Sequence, residues 1–244
     1  MTNNSLTLYK YVTLDVARII AITSTLKFTN PSNFNDPFDC NISRLKFDAS
    51  VSNIDPYVEN EIQEIRKRLN DNPGITDELL ERVYETMQKQ KLNNSSICCF
   101  SLIPDNPLMW AHYSDKHKGA CLIFDNSIKA KFINVDDNSI TQSAVDYLPF
   151  SISNLLENKM EGILKLFATK STDWKYENEF RFILLGQEGL LKFNSKFLVG
   201  IIFGINVNEK DIEDFKNNCK KENVNLFFKK TIKEKDKLTI LDMP

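Results

Sequence analysis

Glycine, histidine and tryptophan are scarce in this chain, which has 7 glycines, 2 histidines and 2 tryptophans among 244 residues. With so few glycines there is no glycine-rich phosphate loop, which argues against a P-loop or Rossmann enzyme. The five cysteines include no Cys-x-x-Cys pair, and their odd number is typical of a reduced protein. No apolar run approaches the roughly 20 residues that span a bilayer, and the polar start Met1–Ser5 lacks the features of a secretory signal. The sequence therefore predicts a cytoplasmic protein with no membrane partner.

The charge and composition are those of an ordinary globular protein. The formal net charge is −2, hydrophobic residues make up 42% and charged residues 26% of the chain. This balance gives no electrostatic footprint for nucleic acid. The length allows a substantial core in one large domain or two small ones.

The hydrophobic periodicity predicts a mixture of helices and strands. Strands are expected at 6–11, 26–29, 96–101, 120–124, 143–148, 175–185, 197–207, 224–228 and 238–241, and helices at 14–22, 106–118, 151–169 and 208–222. Two further helices are expected within 55–92, where they form a hairpin separated by the turn residues 70–74. With no repeat and no clear linker, the simplest account is a single α+β domain over 1–244, with a mixed, mainly antiparallel β core and a helical insertion at about 55–92.

The rarest side chains crowd into two windows. Both histidines and one tryptophan lie within 108–119, and the second tryptophan opens 174–181. On the predicted helix 106–118, Trp110, Tyr113 and His117 would share one face. The plain interpretation places Trp110 and Tyr113 in the core. The functional interpretation makes them an aromatic wall for a planar ligand, with His112 as a polar contact.

The second window predicts a carboxylate pair on one face of a strand. Alternation would place Glu177, Glu179 and Arg181 on one face, and Trp174 on the other. This pattern fits a solvated charged face equally well. If the face lines a cleft, repulsion raises the pKa of one carboxylate while the arginine keeps the other ionised. The upstream loop 33–39 adds Asn35 and Asp39, whose polar side chains come from a backbone that its proline and two phenylalanines should hold in place.

These motifs resemble an uncharacterised bacterial family known only as a domain of unknown function. The matching segments are Tyr9-Lys10-Tyr11, Phe34–Asp39 (Phe-Asn-Asp-Pro-Phe-Asp), Cys98–Ser101, Met109–Tyr113 (Met-Trp-x-His-Tyr) and Trp174–Arg181 (Trp-x-Tyr-Glu-x-Glu-x-Arg). The family resemblance carries no activity with it.

A second resemblance does imply an activity. The strand, helix, strand and loop at the N-terminus, with a late Glu-x-Glu segment, are similar to the ADP-ribosyltransferase superfamily. In that superfamily a first-strand cation holds NAD, and the late glutamate binds the ribose and steadies an oxocarbenium-like transition state. The resemblance implies that Glu179 is this glutamate and Glu177 its helper. Lys10, between Tyr9 and Tyr11, would stand where the superfamily has arginine or histidine.

The working hypothesis is an enzyme that consumes NAD as a substrate, by ADP-ribosyl transfer or glycosidic hydrolysis. Substrate-binding residues are expected to be Tyr9, Lys10, Tyr11, Asn35, Asp39, Trp110, His112, Tyr113, Trp174 and Arg181, and no metal is expected. The acceptor would be a protein or a nucleic acid, and a toxin or antiphage role follows from the superfamily alone. One alternative is a non-catalytic module that binds nucleotides or proteins. The other alternative is a metal-dependent nuclease, in which the clustered acidic residues would hold Mg²⁺. The sequence does not predict the basic surface that such an enzyme needs to bind nucleic acid.

Overall fold

The computed structural model describes residues 7–69, 74–125, 132 and 139–243. The strands are β1 Leu8–Val12, β2 Thr25–Phe28, β3 Leu45–Lys46, β4 Ser96–Ser101, β5 Ala120–Phe124, β6 Ile140–Ala144, β7 Asp146–Tyr147, β8 Ser153–Asn154, β9 Thr169–Lys170, β10 Glu179–Leu184, β11 Gly189–Lys192, β12 Leu198–Phe203, β13 Phe227–Glu234 and β14 Lys237–Asp242. The helices are α1 Leu14–Thr23, α2 Pro56–Arg68, α3 Asp77–Asn93, α4 Pro107–Tyr113, α5 Lys159–Phe167 and α6 Glu209–Lys221.

A single large sheet organises the described residues. Its eight strands run in the order β14-β13-β12-β5-β1-β4-β10-β6. Within this sheet β12 and β13 are parallel, and all other neighbouring strands are antiparallel. The expected α+β class with a mixed, mainly antiparallel sheet is therefore confirmed, while the division into domains stays a prediction.

Helices cover both faces of this sheet. Successive side chains of a strand point to opposite faces, and these strands carry apolar side chains on both faces. α1 and α6 pack on one face through Ile20, Phe215 and the strand residues around Phe203. α4 packs on the other face through Trp110, and α5 through Phe167. No helix among the described residues is long and apolar enough to cross a membrane.

The sheet is nearly divided between β1 and β4. These neighbours share one registered pair, Tyr9 with Ser101. In contrast, β1 follows β5 over its whole length, and β4 does the same with β10. The two halves of the sheet therefore separate on one side of the Tyr9–Ser101 pair, and Lys10 spans the gap by donating from Nζ to the Cys99 carbonyl at 2.8 Å.

The helix predicted at 106–118 is shorter than expected. Asn106 caps its start, but α4 ends at Tyr113. Residues 115–117 all adopt left-handed backbone conformations, with φ of 44°, 53° and 69°. The turn is held by tertiary backbone bonds, including Asn206 N to His117 O at 3.0 Å.

We expect Gly119→Ala to be strongly destabilising. A Cβ at this position would lie 2.2 Å from the Val12 carbonyl oxygen, so the backbone must shift. Such overpacking costs about 1–3 kcal/mol, measurable as a lower urea midpoint of unfolding. Gly162→Ala is the matched control, because its Cβ would meet only the flexible end of Leu155 at 3.0 Å. Equal midpoints for the two variants would contradict the steric argument.

The strand predicted at 175–185 begins later, at Glu179. Residues Thr172–Glu177 form a 3-10 helix, and Asn178 follows it in a left-handed conformation with φ of 42°. Asparagine tolerates this conformation better than most residues. The predicted alternation of faces is therefore wrong for Trp174 and Glu177, and it is Asn178 that turns the chain into β10.

Other boundaries moved where local patterns conflicted with tertiary pairing. The helix expected at 151–169 is reduced to α5, because Ser153–Asn154 pair with β3 instead. The strand expected at 143–148 is divided between β6 and β7, and the strand expected at 224–228 becomes β13. The predicted turn at 70–74 lies outside the described residues except for Gly74. The helices on either side of it, α2 and α3, confirm the hairpin.

Candidate functional site

A small cavity lies where the sheet divides, on the face covered by α4 and α5. Its volume is about 170 Å³. It is lined by Tyr9, Lys10, Tyr11, Phe34, Asn35, Cys99, Phe100, Ser101, Met109, Tyr113, Lys170, Glu177, Glu179 and Arg181. β1 thus supplies one wall, β4 and β10 the opposite wall, and the loop at 34–35 and α4 the rim.

Arg181 is fully buried and anchors the floor of the site. Its Nε and Nη2 each donate to a different oxygen of Glu179 at 2.9 Å. Its Nη1 and Nη2 donate to the two oxygens of Asp39 at 2.9 and 2.5 Å. The Phe167 carbonyl accepts a further bond from Nη1 at 2.8 Å. This planar fork therefore forms bidentate pairs with two carboxylates at once.

A second cation, Lys170, joins the two glutamates. Its Nζ lies 2.5 Å from Glu177 Oε2 and 3.5 Å from Glu179 Oε2. Tyr113 donates its hydroxyl proton to Glu177 Oε1 at 2.5 Å. Three carboxylates and two cations are thus almost wholly buried together, and the ammonium of Lys10 lines the same cavity.

The two glutamates differ in their pKa. Burial raises the pKa of Glu177, because desolvation and the nearby Glu179 outweigh Lys170. Burial also opposes ionisation of Glu179, but Arg181 and Lys170 outweigh it and lower the pKa of Glu179 to about 2. These are the directions expected for a carboxylate pair beside one arginine. Pairs whose pKa values are pushed apart are typical of acid–base sites.

The low pKa of Glu179 predicts a dependence of stability on pH. Its folded-state pKa of about 2 lies below the ordinary value of 4.5, so its stabilising contribution is complete above pH 4.5 and is lost as the pH falls toward 2. A difference of this size corresponds to about 3 kcal/mol. Urea unfolding between pH 7 and pH 2.5 should show this fall in wild type and a shallower one in Glu179→Gln. Identical slopes below pH 4.5 would contradict it.

Most of the predicted site residues meet at this cavity. Tyr9, Lys10, Tyr11, Asn35, Tyr113, Glu177, Glu179 and Arg181 line it. Asp39 does not line the cavity but lies beneath it, paired with Arg181. The local reason is the loop at 34–39, in which the Asp36 side chain accepts from Phe38 N and fixes the turn that delivers Asp39.

Trp110 is not part of the site. It is fully buried, packs edge-on against Tyr11, and donates from Nε1 to the Pro104 carbonyl at 2.8 Å. No ligand can touch it, so the expected aromatic wall of Trp110 and Tyr113 is wrong as to Trp110. The core interpretation of this residue is the correct one.

His112 and Trp174 lie outside the cavity in an aromatic strip. We define the strip as Trp174, Tyr176, His112 and Tyr113, whose ring centroids are separated in that order by 6.1, 6.3 and 6.2 Å. Lys170 lies 4.7 Å from the centroid of the Trp174 ring, so the strip and the ion cluster are in contact. Tyr113 belongs to both the strip and the cavity wall.

Lys170 and Tyr147 were missed by the sequence reasoning. Tyr147 accepts a bond from Glu179 N at 2.7 Å, which helps to fix the start of β10. Lys170 ends the two-residue strand β9, which pairs with β7. Tyr147 lies in the strand expected at 143–148 and Lys170 just after the helix expected at 151–169, but neither belongs to a cluster of rare or paired charged side chains, so nothing local marked it as a site residue.

No metal centre is found in the parts of the chain that the structure describes. There, no group of three or more His, Cys, Asp or Glu side chains is placed to hold an ion. In the cavity, the carboxylates are instead neutralised by Arg181 and Lys170.

Comparison with known proteins finds a similarity to one family over part of the chain. Residues 109–182 match the model of a family described as a protein of unknown function (DUF2971). This match confirms the resemblance to an uncharacterised family, and it includes most of α4, the 3-10 helix at 172–177 and most of β10. The search of curated proteins and the search of solved structures found no match. The ADP-ribosyltransferase resemblance gains no support from these comparisons.

Proposed function

We propose that the protein is an enzyme that cleaves the nicotinamide–ribose bond of NAD and passes the ADP-ribosyl group to water or to an acceptor. The observation that carries this proposal is the pair Glu177 and Glu179 at the wall of the cavity, with one pKa raised and the other lowered to about 2. An anion held ionised in a poorly hydrated cleft stabilises a positive charge that develops beside it.

The two glutamates would take different parts in the reaction. When the bond between C1′ and the nicotinamide nitrogen breaks, its electron pair leaves with nicotinamide and the ribose becomes an oxocarbenium ion. Glu179, with both oxygens held by Arg181, supplies a fixed negative charge. Glu177, with a raised pKa, accepts the proton that the attacking hydroxyl group loses as the new C–O bond forms.

The dimensions of the site suggest how the substrate would lie. A cavity of about 170 Å³ is smaller than the roughly 300–1,000 Å³ of pockets that enclose drug-sized ligands. It would therefore take only the nicotinamide end of NAD, against Tyr9 and Tyr113. The rest of the molecule would lie outside, where Trp174 and Tyr176 offer aromatic faces. We also propose that the fold is ADP-ribosyltransferase-like. The reason is that the cleft brings together a cation on the first strand, Lys10, and the late Glu-x-Glu segment.

Incubation of the purified protein with NAD, followed by measurement of free nicotinamide, tests this function. We expect release by the protein alone or after addition of cell lysate as a source of acceptors. Absence of release under both conditions would contradict the proposal. Loss of activity with a chelator would instead point to a metal-dependent reaction.

A second function, a nucleotide-binding module without catalysis, is favoured by one observation. Both oxygens of Glu179 and both oxygens of Asp39 already accept bonds from Arg181, so this part of the cluster is complete without a ligand. An ion network that needs no ligand can have the role of fixing one folded conformation, with no part in catalysis. Thermal stabilisation by NAD without nicotinamide release would support the module.

A further inference from the structure

A second cavity lies between α3 and α5, away from the divided sheet. Its volume is about 270 Å³, larger than the 170 Å³ of the cavity at β1 and β4. It is lined by Asp55, Tyr57, Gln88, Lys91, Leu92, Lys159, Met160, Ile163 and Leu185. We propose that it binds a small carboxylate that has an apolar body and a hydroxyl or amide donor beside the acid group.

Lys159 supplies the buried charge that such a ligand requires. Its side chain is almost fully buried, its Nζ pairs with Glu61, and the rings of Tyr57 and Tyr84 lie 5.1 and 5.8 Å from it. An ammonium has three donors, and Glu61 is the acceptor found for one of them. Asp55 lies close enough to favour the charged form of Lys159, but its two oxygens accept the backbone amides of Tyr57 and Lys159 and do not bond to Lys159 Nζ. An anion can therefore pair with the ammonium without displacing a contact.

Gln88 supplies the second polar group. Its exposed fraction is 7%, and its Oε1 is buried with no hydrogen-bond partner in the described part of the chain. A buried acceptor without a donor costs about 1–3 kcal/mol and calls for a specific explanation. A hydroxyl or amide proton on the ligand would satisfy it.

The charges and the walls of the cavity select the rest of the ligand. Two lysines, Lys91 and Lys159, and one carboxylate, Asp55, line the cavity, while Glu61 pairs with Lys159 from outside the lining, so the site favours an anion of no more than one charge. Leu92, Ile163 and Leu185 give it an apolar wall. A cavity of about 150 Å³ suffices for a benzene ring, so this one has room for a ring and a short acid chain.

Helix α5 connects this second cavity to the ion cluster of Arg181 in the divided sheet. α5 begins at Lys159 in this cavity and ends at Phe167, whose carbonyl accepts a bond from Arg181. The two cavities therefore lie at opposite ends of one helix, and occupancy of the second can be tested independently of NAD chemistry.

Calorimetric titration of the full chain with 3-phenyllactate tests the site. We expect saturable binding to wild type and to Met160→Gln, with affinity about tenfold lower for Met160→Glu, because the new carboxylate repels that of the probe. Met160 is 54% exposed, so neither substitution should disturb folding. We also expect weaker binding of 3-phenylpropionate, which lacks the hydroxyl, and of the neutral 3-phenyllactamide.

Two results would overturn the proposal. One is the absence of saturable binding of 3-phenyllactate to wild type. The other is equal affinity for Met160→Glu and Met160→Gln, which would place the binding elsewhere on the surface.

Discussion

Replacing Arg181 with methionine should lower the free energy of unfolding by about 3–5 kcal/mol, because it removes the guanidinium that pairs with two buried carboxylates and leaves Lys170 as the cation nearest to both. Asp39 and Glu179 each accept two bonds from this guanidinium, and the Asp39 side chain is fully buried. Since folded domains are stable by only about 5–15 kcal/mol, the variant should lose a large part of its stability. The midpoint of urea unfolding measures the loss.

Two further variants show whether the loss comes from the buried charges. Arg68→Met removes an exposed arginine and should leave the midpoint within about 0.5 kcal/mol of wild type. Combining Arg181→Met with Asp39→Asn and Glu179→Gln removes both carboxylate charges, and should recover part of the stability. An Arg181→Met protein as stable as wild type would contradict the central place of this ion network.

Four helix starts could be predicted well from the sequence because capping is local, whereas the start of α5 could not. Thr13, Thr76, Asn106 and Asn208 each accept a bond from a backbone amide in the first turn of their helices. Buried strands such as β4 and β5 were also predicted, from continuous apolar runs. In both cases the physical cause lies within a few residues.

The helix end at Tyr113 and the strand start at Glu179 could not be predicted in the same way. The turn at 115–117 is held by backbone bonds to residues some 90 positions away, such as Asn206. The 3-10 helix before Asn178 is joined to β4 through Asn178 O and Leu102 N. Such partners are distant in sequence, and local alternation of side chains does not contain them.

The sequence predicted which residues belong to the candidate site more successfully than it predicted where they lie relative to one another. Lys10, Tyr113, Glu177 and Glu179 meet although up to 169 positions separate them, and their shared rarity or charge had already singled them out. Asp39 was expected to contact substrate and instead pairs with Arg181. Its burial depends on the path of a loop, which composition does not determine.

Glu177→Gln should reduce nicotinamide release by a factor of about 10²–10⁴, the usual contribution of a general base. The substitution keeps the shape of the side chain, and its amide can accept from Lys170 and donate to the Tyr113 hydroxyl, but it removes the group that accepts the proton. Glu179→Gln should also suppress release, because the fixed charge beside the ribosyl cation is lost. Glu179→Gln should in addition lower stability, whereas Glu177→Gln should not.

The rate of nicotinamide release from NAD by wild type, Glu177→Gln and Glu222→Gln is the measurement that tests this account most directly. Glu222 is exposed at the end of α6, on the face of the sheet opposite the cavity, and serves as the matched control. The account predicts release by wild type and Glu222→Gln and its loss in Glu177→Gln. Equal release by all three proteins would place the chemistry outside the divided sheet, and no release by wild type would contradict NAD consumption itself.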